Sequence, residues 1–245
     1  MSETVKTREI EYQATDGSTL IGYFAYPEGK THLAAVLVAP EWWGRNSYTE
    51  QRARELAAQG YAALAIDMYG NKQSTTDASQ ASAWMMSTFE QPNTIVDRAQ
   101  AALDCVSAQP EVDASRVAAI GFCYGGKVAL DLARNGAPLK AVTTFHANLS
   151  AQHAAQKGNV NAEVLVLHGE EDSMVSLNDV EQFKAEMQAA DVVHEVIIFP
   201  NAKHGFSNPQ ADERAKANGV DLGYNAAAEQ QGLAAMYDLL ARRLA

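Results

Sequence analysis

The stretch Arg116-Val117-Ala118-Ala119-Ile120-Gly121-Phe122-Cys123-Tyr124-Gly125-Gly126-Lys127-Val128-Ala129-Leu130 decides how this chain folds. Arg116 to Ile120 is a short, mainly apolar run suited to a buried strand, and Lys127 to Arg134 has the apolar spacing of a helix. A strand that turns directly into a helix leaves the residue at the bend under backbone strain. Glycines two before and two after Cys123 are required, because side chains there would collide with the adjoining helix and strand. The pattern is that of a nucleophile elbow with cysteine at its tip. The competing reading is a structural cysteine buried beside a tight turn.

Working outward, the rest of the chain repeats the same alternation. Ile10 to Ala14 and Leu20 to Tyr26 alternate apolar and polar residues around Asp16-Gly17, a hairpin signal. Leu33 to Ala39 is continuously apolar, as in a strand buried on both faces. Glu50 to Gln59 reads as a helix closed by Gly60, and Tyr61 to Ile66 as a strand. A helix over Ile95–Ala108 precedes the elbow strand. Strands are expected over Leu139–Phe145, Glu163–Leu167 and Glu195–Phe199, with helices over Leu177–Ala190 and Ala226–Leu244. Strands alternating with helices imply an α/β fold: a mostly parallel sheet flanked by helices, with the opening hairpin as antiparallel strands at one edge. No repeat or linker interrupts it, so one domain over residues 1–245 is expected. The segment from Gly70 to Pro92 is less regular. Its polar start and its Trp84-Met85-Met86 suit either a lid over a site or a surface helix packed on the sheet.

Composition narrows the class. Hydrophobic residues make up 47% and charged residues 20% of the 245, ordinary for a globular core. A formal charge of −11 with no basic cluster argues against a nucleic-acid partner. No apolar run approaches a membrane span, and the start from Met1 to Arg8 lacks the apolar centre of a signal peptide. Two cysteines, Cys105 and Cys123, make no disulfide framework, which points to a cytoplasmic location.

Functional groups of parallel α/β sheets gather at the carboxyl ends of strands. Four candidates stand at such ends: Glu41, Cys123, Asp172 and His204. The chain order nucleophile, acid, histidine is that of α/β-hydrolases. A free thiol is only a few per cent ionised at neutral pH, so it needs a base. His204 can take its proton while a carboxylate holds the other ring nitrogen. Asp172 is favoured for that carboxylate because the turn after its strand points it back to the site; Glu170 and Glu171 are its rivals by sequence. The backbone N–H groups of Tyr124, at a helix start, and of Trp42, after the Leu33–Ala39 strand, are the expected oxyanion donors. Trp43, Tyr69, Trp84 and Phe206 are candidates for an apolar pocket.

The remaining histidines have weaker claims. His32 and His194 precede strands and His153 lies in a polar loop. His146 is a minor alternative base, and His168 reads as a satisfied core histidine. No histidine pair has zinc spacing and no CxxC occurs, so neither a metal nor a cofactor is expected.

Taken together, these residues resemble the dienelactone hydrolase family, a branch of the α/β-hydrolase fold. The resemblance rests on Pro40-Glu41-Trp42-Trp43-Gly44, Gly60-Tyr61-Ala62-Ala63 with Asp67-Met68-Tyr69, the elbow, Gly169-Glu170-Glu171-Asp172 and His204-Gly205-Phe206. It implies hydrolysis of a small-molecule ester or lactone through a thioester on Cys123, with Asp172 and His204 completing the triad. It also implies that Glu41 holds the resting thiol quiet until substrate arrives. The family's two carboxylate-binding arginines have no counterparts: Glu55 to Asp97 contains none, and Ser207 and Asn208 follow the His204 motif. Lys72 or Arg45 could substitute in principle, without standing at the matching place. The usual dienelactone is therefore not the expected substrate. The alternative function is a thiol redox or peroxide-sensing protein using Cys123, which would lack a resolving partner because Cys105 sits in a helical pattern.

Overall fold

The computed structural model describes residues 4–245; Met1, Ser2 and Glu3, where the polar start begins, lie outside the described residues. Eight strands form one sheet in the order β1-β2-β4-β3-β5-β6-β7-β8. β1 (Val5–Gln13) and β2 (Thr19–Pro27) form the expected hairpin, and β2 also runs antiparallel to β4 (Ala62–Ala65). From β4 onward every pairing is parallel, through β3 (Leu33–Ala39), β5 (Val112–Phe122), β6 (Ala141–Phe145), β7 (Glu163–Gly169) and β8 (His194–Phe199).

The continuous apolar strands serve two cores at once, since successive side chains point to opposite faces. In β3, Ala35, Leu37 and Ala39 join one core; Ala34, Val36 and Val38 join the other. The first core is covered by α3 (Thr94–Ser107), α4 (Tyr124–Arg134) and α5 (Leu177–Ala189). The second lies under α1 (Ser47–Ala58) and α7 (Ala226–Arg243). Among the described residues no helix is long and apolar enough to cross a membrane.

Differences from the sequence reading have local causes. α1 starts three residues before the expected Glu50 because the Asn46 side chain accepts hydrogen bonds from the N–H groups of Tyr48 and Thr49. β5 begins at Val112, because irregular pairing lets Leu33 meet Val112 beyond the apolar run. The irregular segment contains α2 (Ala78–Ser87), capped by Asp77, with only Ala81 buried. α6 (Ala211–Asn218) went unforeseen, being short and mostly polar.

At the elbow, Cys123 has φ 53° and ψ −115°, which an L-residue adopts only under constraint. A Cβ on Gly121 would strike the carbonyl of Gly125, and one on Gly125 would strike the backbone carbonyl of Ala39. Gly125→Ala should therefore lower stability by about 2–3 kcal/mol, as overpacking against backbone does. Urea unfolding measures this; a midpoint equal to that of the parent would show that the elbow has room to relax.

Candidate active site

Strand order brings the distant candidates together. Glu41 follows β3 and Cys123 follows β5, its neighbour in the sheet; Asp172 follows β7 and His204 follows β8, also neighbours. All but Asp172 line one cavity of about 510 Å³, together with Trp42, Trp43, Tyr124, Met85, Asn148, Leu149, Met174, Val175 and Phe183.

Cys123 occupies the N-cap of α4, so the thiol stands at the positive end of that helix, where an anion is favoured. The elbow is clamped by its own backbone. The Cys123 N–H donates to Phe145 O at 3.0 Å, and its carbonyl accepts from the Gly126 N–H at 3.0 Å.

His204 is nearly removed from solvent at 3% exposure. Its Nδ1–H donates to Asp172 Oδ2 at 2.8 Å, while Asp172 Oδ1 accepts from the N–H groups of Met174 and Val175, each at 2.9 Å. The carboxylate is thus held from both sides and fixes the ring, with Nε2 turned away from it. Nε2 is buried without a hydrogen-bond partner. Burial pushes the His204 pKa down, but the charge of nearby Cys123 and the bond to Asp172 outweigh it, leaving it raised to about 10. The thiol is near enough to act on the ring's charge.

Trp42 lies in the loop after β3, its carbonyl accepting the Tyr69 hydroxyl at 2.9 Å, which holds that loop over the elbow. Glu41 is also buried, and its Oε2 accepts from Asn208 Nδ2 at 2.7 Å. Of the four expected pocket aromatics, only Trp43 reaches the cavity. Tyr69 stacks on Tyr124 and meets Trp84 in the layer behind the wall. Phe206 is fully buried among Phe145, Phe199 and His146, because its loop returns beneath the sheet end. Met85 borders the cavity while its neighbour Met86 is 54% exposed, so α2 is a surface helix with one edge on the site.

The other histidines are now placed. His146 directs Nε2 to Ser207 Oγ at 2.9 Å and packs edge-on to His204 at 5.1 Å. Ser207 in turn meets the Tyr48 hydroxyl, so His146 backs the loop that carries His204. His168 lies buried in β7, next to the end of that strand. Burial lowers both pKa values, well below 6.5 for His146. Among the described residues no cluster could hold a metal ion.

Charge is distributed unevenly. No lysine or arginine lines the cavity. Arg134 and Lys127, buried in α4, are spent on Asp131, Glu186 and the carbonyls of Leu149 and Ser150. Arg45 pairs with Glu9 and Glu50, and Lys72 with Glu9, so neither substitutes for the missing arginines. Sequence reasoning missed Asn208; its only signal was a polar Ser207-Asn208 pair directly after His204-Gly205-Phe206.

Comparison with known proteins identifies the family. The model of the dienelactone hydrolase family matches residues 20–244. The crystal structure of a dienelactone hydrolase-like promiscuous phosphotriesterase from metagenomic libraries has a TM-score of 0.91 at 40% identity, covering 98% of this chain and 99% of that one. A Salmonella typhimurium protein provisionally named carboxymethylenebutenolidase is 26% identical over 243 residues, 93% of this chain and 84% of that protein. A Bradyrhizobium protein named probable 2-oxo-3-(5-oxofuran-2-ylidene)propanoate lactonase is 29% identical, covering 78% of this chain and 81% of its own.

The buried histidines have a consequence for stability. Folded His146 and His168 stay neutral where the unfolded chain binds protons, so stability is full above about pH 6.5 and falls as pH drops below it. The slope is at most about 1.4 kcal/mol per pH unit for each ring. His146→Gln, which keeps a polar atom towards Ser207, should flatten that acid slope in urea unfolding; an unaltered slope would show that His146 does not titrate with folding.

Proposed function

The chain belongs to the dienelactone hydrolase family, and from that membership we propose that it cleaves neutral carboxylic esters or lactones through a thioester on Cys123. The observation that carries this reading is the buried Asp172–His204 pair, whose unpartnered Nε2 lines the same cavity as the strained Cys123.

The chemistry follows from the positions. His204 takes the thiol proton on Nε2, and the sulfur attacks the carbonyl carbon. Negative charge moves to the carbonyl oxygen, where the backbone N–H groups of Tyr124 and Trp42 are the donors. Collapse expels the alkoxide, which takes the proton from Nε2 and leaves as alcohol; in a lactone it stays tethered to the acyl group. A water then gives a proton to Nε2, its oxygen attacks the thioester, and the carboxylic acid departs as the thiol is restored. Asp172 accepts the Nδ1–H hydrogen bond and steadies the imidazolium in both halves.

The substrate is neutral because the cavity offers no guanidinium or ammonium to a carboxylate. Burying an unpaired charge costs about 3 kcal/mol or more, about 100-fold in rate. The same cavity favours a second substrate class, neutral phosphotriesters, the activity named for the relative at 40% identity. The redox alternative lacks support: burial pushes the Cys105 thiol up to about 11, and Cys105 is not among the cavity's lining residues. Two free cysteines are consistent with a reducing, cytoplasmic location.

Cys123→Ala should abolish hydrolysis of a small activated ester while leaving the fold intact by circular dichroism. Asp172→Asn should lower kcat by about 10²–10⁴, as loss of the orienting carboxylate does. Steady-state kinetics should also give neutral lactones a kcat/KM about 100-fold above carboxylate-bearing dienelactones. Equal turnover of the two would refute the neutral-substrate reading.

A further inference from the structure

We propose that the cavity continues beyond Cys123 as a subsite for an extended, uncharged apolar arm of the ester, a linear alkyl chain laid along α5 towards the Glu186–Arg134 pair. This deepens the reading of the cavity as an ester or lactone site and rests on it.

The direction of the arm follows from α5. That helix is capped by Ser176, four residues after Asp172, so its first turn stands beside the Asp172–His204 pair. It connects the parallel strands β7 and β8, and so runs back from the strand ends that carry the site. Asp179, Gln182, Phe183 and Glu186 line the cavity, at the spacing of one helix face. From the first of these to the last the axis advances about 10 Å. The cavity is therefore long in this direction. Its volume of about 510 Å³ suits a drug-sized molecule, where an ester group alone needs far less.

The sealed part of this surface is apolar. Leu149, Val175 and Phe183 are buried, and Met174, 46% exposed, marks the open side. Polar side chains along the slot are committed elsewhere or stand in solvent. Asp179 Oδ2 accepts from the Ser176 N–H at 2.8 Å and from its hydroxyl at 2.7 Å, within the cap of α5. Gln182 is exposed, and Asn148 Oδ1 turns back to the Ser150 N–H at 2.9 Å. Glu186 receives Arg134 through both oxygens, Oε1 from Nε at 2.9 Å and Oε2 from Nη2 at 2.8 Å. The far end is thus a neutralised pair, where a charged arm finds no free partner.

The opposite wall is fixed by the same buried cations. Arg134 Nη2 donates to Leu149 O at 3.0 Å, and Lys127 Nζ to Ser150 O at 2.7 Å. Glu186 Oε1 also accepts from the Ala155 N–H at 2.8 Å. Arg134 is the last residue of α4 and Cys123 its cap, so the loop after β6, α4 and α5 are tied together at the end remote from the thiol. A chain entering there meets a preformed slot, and only its own freedom is lost on binding.

Two homologous ester series test the arm: p-nitrophenyl alkanoates lengthened on the acyl side, and alkyl acetates lengthened on the alcohol side. In one of them kcat/KM should rise about two- to fourfold per methylene as far as the eighth carbon or so, and then level where the slot ends. Ala151→Trp, which fills the slot from its exposed wall, should lower the ratio of long-chain to short-chain kcat/KM about tenfold. Ala151→Leu gives the same reading with a smaller side chain if the first variant fails to fold. Calorimetry on Cys123→Ala reads the arm without the reaction. Methyl octyl ketone should bind at least about 30-fold more tightly than methyl ethyl ketone. Equal affinity for the two ketones, rates flat with chain length in both series, or an unchanged ratio in a folded Ala151 variant overturns the inference. Ketone binding that grows with chain length, in a protein that hydrolyses no ester, would keep the arm and remove the proposed activity.

Discussion

A thiol can stand clear of the sheet at Cys123 only because the backbone around it carries no side chains. The bend from β5 into α4 places Gly121 against the Gly125 carbonyl, and Gly125 against the end of β3 at Ala39. Cys123 itself sits at φ 53°, a conformation that costs about 1–3 kcal/mol in an L-residue. The cost is tolerated because both flanking elements are among the most buried in the molecule: every residue of α4 is buried, as is β5 from Val117 to Phe122. The strain also has a use, since it directs the sulfur into the cavity at a helix N-terminus. The close approach of β3 then brings Glu41 and Trp42 to the same point.

Around that fixed thiol, the parallel strands act as a ruler. β7 and β8 are neighbours, so the loops that follow them meet, and Asp172 reaches His204 across one strand spacing. β6 ends between the two halves of the site, which is why His146 falls behind His204 and ties Ser207 to the core. The buried charges are kept apart from this machinery. Arg134, Lys127, Asp131 and Glu186 neutralise one another along α4 and α5, beside the cavity, and leave no free cation facing it. What remains at the site is a histidine bonded to an aspartate, a thiol, and one carboxyl held by an amide.

Much of the strand-helix alternation was legible because the buried strands are continuous apolar runs with glycine or polar breaks between them. Boundaries shifted where a side chain outside the apolar pattern decided them, as Asn46 does for α1. α6 was invisible because a short helix with two acids in its first turn carries little periodic signal. The pocket aromatics were misjudged for a related reason. Trp84, Tyr69 and Phe206 stand near the motifs in sequence, but their orientation depends on partners such as Tyr124 and Phe145 that lie far away along the chain.

By itself, the sequence determined the reaction class of this protein: glycine spacing at the elbow and the order Cys123, Asp172, His204 are local facts, dictated by backbone sterics and proton chemistry. Only the tertiary structure decided what surrounds them. That His146 meets Ser207, that Arg134 is spent on Glu186, and that Asn208 presents its amide to Glu41 all depend on residues brought together from separate parts of the chain. Electrostatics in a buried site is set by distance and solvent exclusion, and neither can be read along the chain.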